Sequence, residues 1–161
     1  MVGSQLPQSS SSGATAVCCL CEGRQVWCAN AGDSRAVLCR GGVAFELSAD
    51  HKASRGDELA RIVHCGGFVA ANRVAGQLAV SRALGDLQLK RDKPMVVPDP
   101  EVHTIALQPE DEFLVVACDG WSWAADVPLH RVGERTIEVA SLMQPELTQR
   151  LVCEVGLQAD R

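Results

Sequence analysis

The chain has 161 residues, and no apolar run in it approaches the ~20 residues that a membrane-spanning helix needs, so no membrane partner is expected. Residues 1–12 have neither a basic segment nor an apolar one, so a secretory signal is not expected there. Basic residues are in deficit, with 15 Lys and Arg against 20 Asp and Glu, a net charge of −5 and a pI near 5.3. That argues against nucleic acid as the main partner. A cytoplasmic or nuclear location follows by default. Zinc ligands are also short. Cys18 and Cys21 form a C-x-x-C, but no second pair with zinc-like spacing follows and no His stands nearby. On a strand these two cysteines point to opposite faces. Without a secretory signal, a disulfide framework is not expected either.

What is present reads as one domain with a real core: 47% of residues are hydrophobic and 22% charged. Of eight cysteines, Cys18, Cys19, Cys21, Cys28, Cys39 and Cys118 lie in apolar, strand-like runs and read as small buried hydrophobes. Residues 1–12 include a serine run and read as a flexible lead-in. Apolar runs at 14–20, 25–31, 35–39 and 43–47 are separated by Glu22-Gly23-Arg24, Gly32-Asp33 and Arg40-Gly41-Gly42. That pattern predicts an antiparallel meander. Ser54-x-x-Asp57 resembles a capping arrangement, Leu59, Ile62 and Val63 recur at helical spacing, and Gly66-Gly67 suits a C-cap. A short hairpin is predicted over 68–74. Strands are predicted over 101–107 and 112–117, joined by a turn with Pro109 at a type I position. Residues 134–144 read as helix, as does an amphipathic stretch from Pro145 through Leu147, Leu151, Val152 and Val155. The mixture predicts an α+β fold of two stacked sheets with flanking helices.

One run stands out chemically. Phe113-Leu114-Val115-Val116-Ala117-Cys118 ends at once in Asp119-Gly120. A buried strand that delivers a carboxylate at its end, with Gly120 turning the backbone away, can hold a metal ion or orient a polar substrate. A turn Asp that satisfies local N–H groups is the alternative.

Several segments fall in a familiar order. Gly13-Ala14-Thr15-Ala16 precedes Ala29-Asn30-Ala31-Gly32-Asp33-Ser34-Arg35, then Asp50-His51-Lys52, Ala60-Arg61-Ile62 and Gly66-Gly67. The block Arg73-Val74-Ala75-Gly76-Gln77-Leu78-Ala79-Val80-Ser81-Arg82-Ala83-Leu84-Gly85-Asp86 follows, then Pro98-Asp99-Pro100-Glu101-Val102 and finally Phe113 to Gly120. This series strongly resembles the metal-dependent protein serine/threonine phosphatases of the 2C type, over roughly residues 13–120. The resemblance implies an α-β-β-α sandwich of two antiparallel sheets with Mg²⁺ or Mn²⁺, two or more ions, at one edge. It implies phosphoprotein substrates, with a metal-activated water attacking phosphoserine or phosphothreonine without a phosphoenzyme. Two divalent ions about 3.5–4 Å apart suit that chemistry. Oxygen ligands suit such ions better than thiols.

By the same resemblance Asp119 corresponds to a carboxylate that reaches the metal centre, and Asp33 to an acid near a further metal position. For Asp33 a turn role remains equally open. Asp50-His51-Lys52 corresponds to the start of a flap that shapes substrate access, and His51 reads as a solvated loop residue rather than a general acid. Arg82 and Asp86 are spaced for an ion pair if their segment is helical, and both read as structural. Arg35 reads as the partner of a nearby acid.

The chain also departs from the family pattern. No Asp-Gly-His occurs in it, and residues 1–12 hold neither the family's phosphate-binding Arg nor its Glu-Asp pair. After Gly120 the residues are Trp121-Ser122-Trp123, where the family carries an acid four positions after Asp119, and no Asp-Asn pair follows. The expected organisation is therefore a lead-in over 1–12, a partial phosphatase domain over 13–120 and a divergent, helical tail over 121–161. A retained intron or alternative exon would leave such a break. Loss of the family's first strands should leave sheet edges open. The alternatives are a degenerate, non-catalytic phosphatase-like binding module and, against the motif order, a β protein that binds metal through its cysteines. No oligomeric state is implied.

Overall fold

The computed structural model describes residues 12–118, 137–141 and 150–158. Its first strand, β1 (Gly13–Glu22), alternates buried and half-buried residues, as a strand packed on one core does. A two-residue turn joins it to β2 (Gln25–Ala31), with Gly23 at a φ of 56°, the left-handed value that the first turn position requires. A second tight hairpin links β3 (Arg35–Arg40) to β4 (Val43–Glu46). Gly41 and Gly42 both have positive φ there, the type I′ geometry that matches strand twist.

The two hairpins do not form one meander. β2 pairs with β1 and with β8 (Glu101–Ala106), whereas β3 pairs with β4 and with β9 (Asp111–Ala117). The chain changes sheets between Ala31 and Arg35. Each hairpin was legible because its turn residues are local. The change of sheet was not, because alternation marks a strand without naming its neighbour.

The predicted tail helices are corrected as well. Where helix was expected over 134–144 and from Pro145 onward, the chain forms strands β10 (Ile137–Ser141) and β11 (Arg150–Gln158). β10 pairs antiparallel with β9, and β11 with β1, from Gly13 opposite Gln158 to Cys21 opposite Arg150. β11 and β10 thus cover β1 and β9, and β11, β8, β10 and β4 are the outer strands of the two sheets. One sheet runs β11-β1-β2-β8, with the two-residue β7 (Leu84–Gly85) also on β1, and the other runs β10-β9-β3-β4. Val17, Cys19 and Val26 of the first sheet meet Leu38, Leu114 and Val116 of the second in one core. This is the antiparallel sandwich that the resemblance implies, in incomplete form.

A second core gathers Ile62, Val74, Val80 and Val96 beneath the single α-helix among the described residues, α1 (Gly56–His64). Its cap residue is Arg55, with no side-chain cap, rather than Ser54. Asp57 accepts two hydrogen bonds from Arg55 instead, each at 2.7 Å. The C-terminus is as predicted. Gly66, at a φ of 80°, donates to Val63 O, and Gly67 donates to Ile62 O, both at 2.9 Å, which makes a Schellman motif. A minimal hairpin, β5 (Val69–Ala70) with β6 (Arg73–Val74), follows as expected. Among the described residues no helix is long and apolar enough to cross a membrane.

Candidate functional site

The sheet-changing segment carries Asp33, and its backbone is tightly determined. Gly32 has a φ of 113°, and a Cβ there would stand 2.3 Å from Thr15 Cγ2. Only glycine fits without displacing β1. Thr15 Oγ1 and Ser34 Oγ share a buried hydrogen bond of 2.7 Å, which ties the segment to the first sheet. The backbone N–H of His51 donates to Gly32 O at 2.9 Å. Asn30 Nδ2 donates to Ala49 O at 3.1 Å from the other side.

Asp33 itself is paired. Its carboxylate accepts a hydrogen bond from the ammonium of Lys52. Lys52 also lies 3.8 Å from Asp50, which Arg35 grips with a two-pronged fork at 2.7 and 2.8 Å. Burial pushes the Asp50 carboxyl up, but the Arg35 fork and then the Lys52 charge outweigh it and hold it below the ordinary carboxylate range. Arg35 is therefore the partner of an acid, as the sequence suggested.

His51 is not a solvated loop residue. It is fully buried, whereas its neighbours Asp50 and Lys52 reach toward solvent. Its Nε2 lies 3.1 Å from Glu101 Oε2, and Gly32 N–H points at Nδ1 from 3.2 Å. Burial first, then the Arg82 charge, lowers its pKa, so the ring is neutral. The ionised Glu101 can only accept, so the ring proton sits on Nε2 and Nδ1 accepts from Gly32. Arg55 donates to the same Glu101 oxygen at 3.0 Å. His51 thus braces the backbone beside Asp33 from within the core.

Behind it lies a charged cluster that the sequence reading missed. Glu58, 1% exposed, receives two hydrogen bonds from Arg82 at 3.0 and 2.7 Å and one from Arg61 at 2.8 Å. Burial pushes its carboxyl up, but the Arg82, Ser81 and Arg61 contacts bring it down to about 2. Arg82 therefore pairs with Glu58 and not with Asp86, because residues 82–86 are extended and turning rather than helical. Glu58 sits four residues before the buried Ile62, so helical periodicity places it on the inward face of α1. That spacing was the available signal.

Asp119 lies outside the described residues. The strand that precedes it, β9, ends at Ala117, which pairs with Arg35 of β3 and with Ile137 of β10. Among the described residues, no group of three His, Cys, Asp or Glu side chains could hold a metal ion. A hard divalent cation wants six or more oxygen ligands. Asp33 supplies one carboxylate, already neutralised by Lys52. The described residues do not make a divalent-ion site. The Cys18–Cys21 pair does not make a zinc site either: on β1, Cys21 is buried and Cys18 faces the other way.

Comparison with known proteins gives a consistent result. The family model for Protein phosphatase 2C matches residues 3–126. A rice (Oryza sativa subsp. japonica) protein described as a probable protein phosphatase 2C is 40% identical over 156 residues, covering 95% of this chain and 40% of its own length. A phosphatase structure from a pathogenic strain of Toxoplasma gondii is 39% identical, with a TM-score of 0.54, over 60% of this chain and 31% of the other. A serine-threonine phosphatase 2C structure from the same organism reaches a TM-score of 0.61 at 24% identity, over 70% and 43% of the two chains, a likeness of fold.

Proposed function

Because the chain belongs to the protein phosphatase 2C family, we propose that it serves metal-dependent hydrolysis of phosphoserine and phosphothreonine in proteins, contributing Asp33 and Asp119 to a Mg²⁺ or Mn²⁺ centre. The chain spans 40% of the length of the rice relative that it matches. The observation that carries the reading is the ladder of β9 on β3. Asp33 stands two residues before Arg35, and Asp119 follows two residues after Ala117, the partner of Arg35. Divalent ions at such a centre lower the pKa of water and neutralise phosphate charge. Within this chain, His51 and the Thr15–Ser34 bond hold the Asp33 backbone, and Lys52 neutralises its carboxylate until other ligands compete.

The 161-residue chain alone is inactive in this reading. It has no Asp-Gly-His and no acid four residues after Asp119. Purified chain assayed on p-nitrophenyl phosphate with excess Mn²⁺ gives no turnover above buffer. Turnover that disappears in the Asp119→Asn variant would refute this.

A second reading is favoured by the Lys52–Asp33 ion pair together with the pairing of β10 and β11 on the strands they cover. It is a non-catalytic binding module that engages phosphoproteins. Stable expression with a cooperative unfolding transition and retained phosphoprotein binding supports it.

A further inference from the structure

One pair of thiols is placed for chemistry that phosphate hydrolysis does not use. Cys19 and Cys28 stand directly opposite one another in the β1–β2 ladder. The two-residue turn fixes the parity of that ladder. Glu22 and Gln25 close the turn as a hydrogen-bonded pair, so Cys21–Val26 is not hydrogen-bonded, Leu20–Trp27 is, and Cys19–Cys28 is not. Non-hydrogen-bonded partners bring their side chains closest, with Cα atoms about 4.5 Å apart. That lies inside the roughly 4.4–6.8 Å window that a disulfide spans.

Both cysteines are reduced and buried, at 0% and 1% exposure, and their thiols hydrogen-bond one another. The bond raises the Cys19 thiol, with burial adding to the effect, and lowers Cys28 against burial. Cys18 also has a cysteine opposite it, Cys153 on β11, while Cys65, Cys39 and Cys21 do not. Cys65 donates to Ile62 O, Cys39 faces Ala44 and Phe113, and Cys21 faces Val26.

We propose that Cys19 and Cys28 form a cross-strand dithiol that a peroxide converts into an intrachain disulfide within the sandwich core. One of the two thiols, once deprotonated, attacks one peroxide oxygen. An S–O bond forms, the O–O bond breaks, and the departing hydroxide takes up a proton, leaving a sulfenic acid. The other thiol then gives up its proton and attacks the sulfenic sulfur, and the S–O bond breaks with loss of water. One peroxide accepts two electrons and two thiols lose two hydrogen atoms, giving two waters. The peroxide enters when the β1–β2 hairpin opens, so the reaction is slow in buffer and faster in mild urea. The product pins the hairpin closed and lowers the unfolding equilibrium constant by at least about tenfold.

Peptide mapping tests this on the full chain. After hydrogen peroxide treatment and alkylation, tryptic cleavage at Arg24 separates residues 1–24, which hold Cys18, Cys19 and Cys21, from residues 25–35, which hold only Cys28. A linked pair of these peptides is expected, lighter by two hydrogen atoms and split by dithiothreitol, with fragment ions that place the bond at Cys19. The link survives in Cys18→Ala and Cys21→Ala and is lost in Cys19→Ala. Fragment ions from the unaltered chain decide the matter even where Cys19→Ala fails to fold. Cys28 recovered fully alkylated would overturn the proposal. So would a bond from Cys18 to Cys153, its register partner on β11, with Cys28 left free.

Discussion

Glu58 is where a single residue bears most on stability. Its carboxyl, about 4.5 when unfolded, falls to about 2 in the fold through Arg82, Ser81 and Arg61 against the opposing cost of burial. A depressed carboxyl contributes stability that is fully present above the unfolded value and is lost as pH falls through the folded one. The loss therefore runs from about pH 4.5 down to about pH 2 and amounts to something on the order of 3 kcal/mol. The Glu58→Gln variant should be less stable at pH 7 and should show a flatter urea midpoint across that acid window. An unchanged slope would place the acid sensitivity in another carboxylate. The same residue shows what sequence spacing conveys. Helical periodicity puts Glu58 on the face of Ile62, but its arginine partner Arg82 is 24 residues away, a contact that periodicity does not encode. His51 is the converse case. Two charged neighbours suggest a solvated loop, while the backbone turns the imidazole alone inward, onto Gly32 and Glu101.

At the scale of elements, glycine turns separate backbone cost from packing cost. Gly23 and Gly32 both have positive φ, yet a Cβ at Gly23 meets nothing within 4 Å, whereas one at Gly32 strikes Thr15. Gly23→Ala should cost about 1 kcal/mol in urea unfolding. Gly32→Ala should cost about 3 kcal/mol or more, since the β1 contact and the His51 brace must both shift. Equal costs would show that the sheet-changing segment is looser than its hydrogen bonds indicate. Most elements before residue 118 were legible, because turn residues and alternation are local signals. Strands β10 and β11 were not. Ile137, Val139, Val152 and Val155 are β-branched, but 3–4 spacing of short apolar runs serves helix and strand alike. Pairing on β9 and β1 decides the outcome.

Across the whole molecule, the two sheets share one core, and β11 runs along β1 for nine register pairs. Removal of residues 150–161 should bare the length of β1 as an edge. The shortened chain is then expected to aggregate, or to lose its single cooperative transition in circular dichroism. A soluble, cooperatively unfolding product would show that β11 is dispensable. The site was only half legible for a related reason. Motif order proposes Asp33 and Asp119, but the Lys52 ammonium on Asp33 comes from a segment 19 residues on and carries no local signature. The central claim is that this chain holds corner carboxylates of a divalent-metal centre and too few ligands to bind the ions firmly. Electron paramagnetic resonance of Mn²⁺ titrated into the purified chain tests it most directly. The account predicts association weaker than about 1 mM, roughly −4 kcal/mol or less favourable. Micromolar, stoichiometric Mn²⁺ binding that is lost in Asp33→Asn or Asp119→Asn would contradict it.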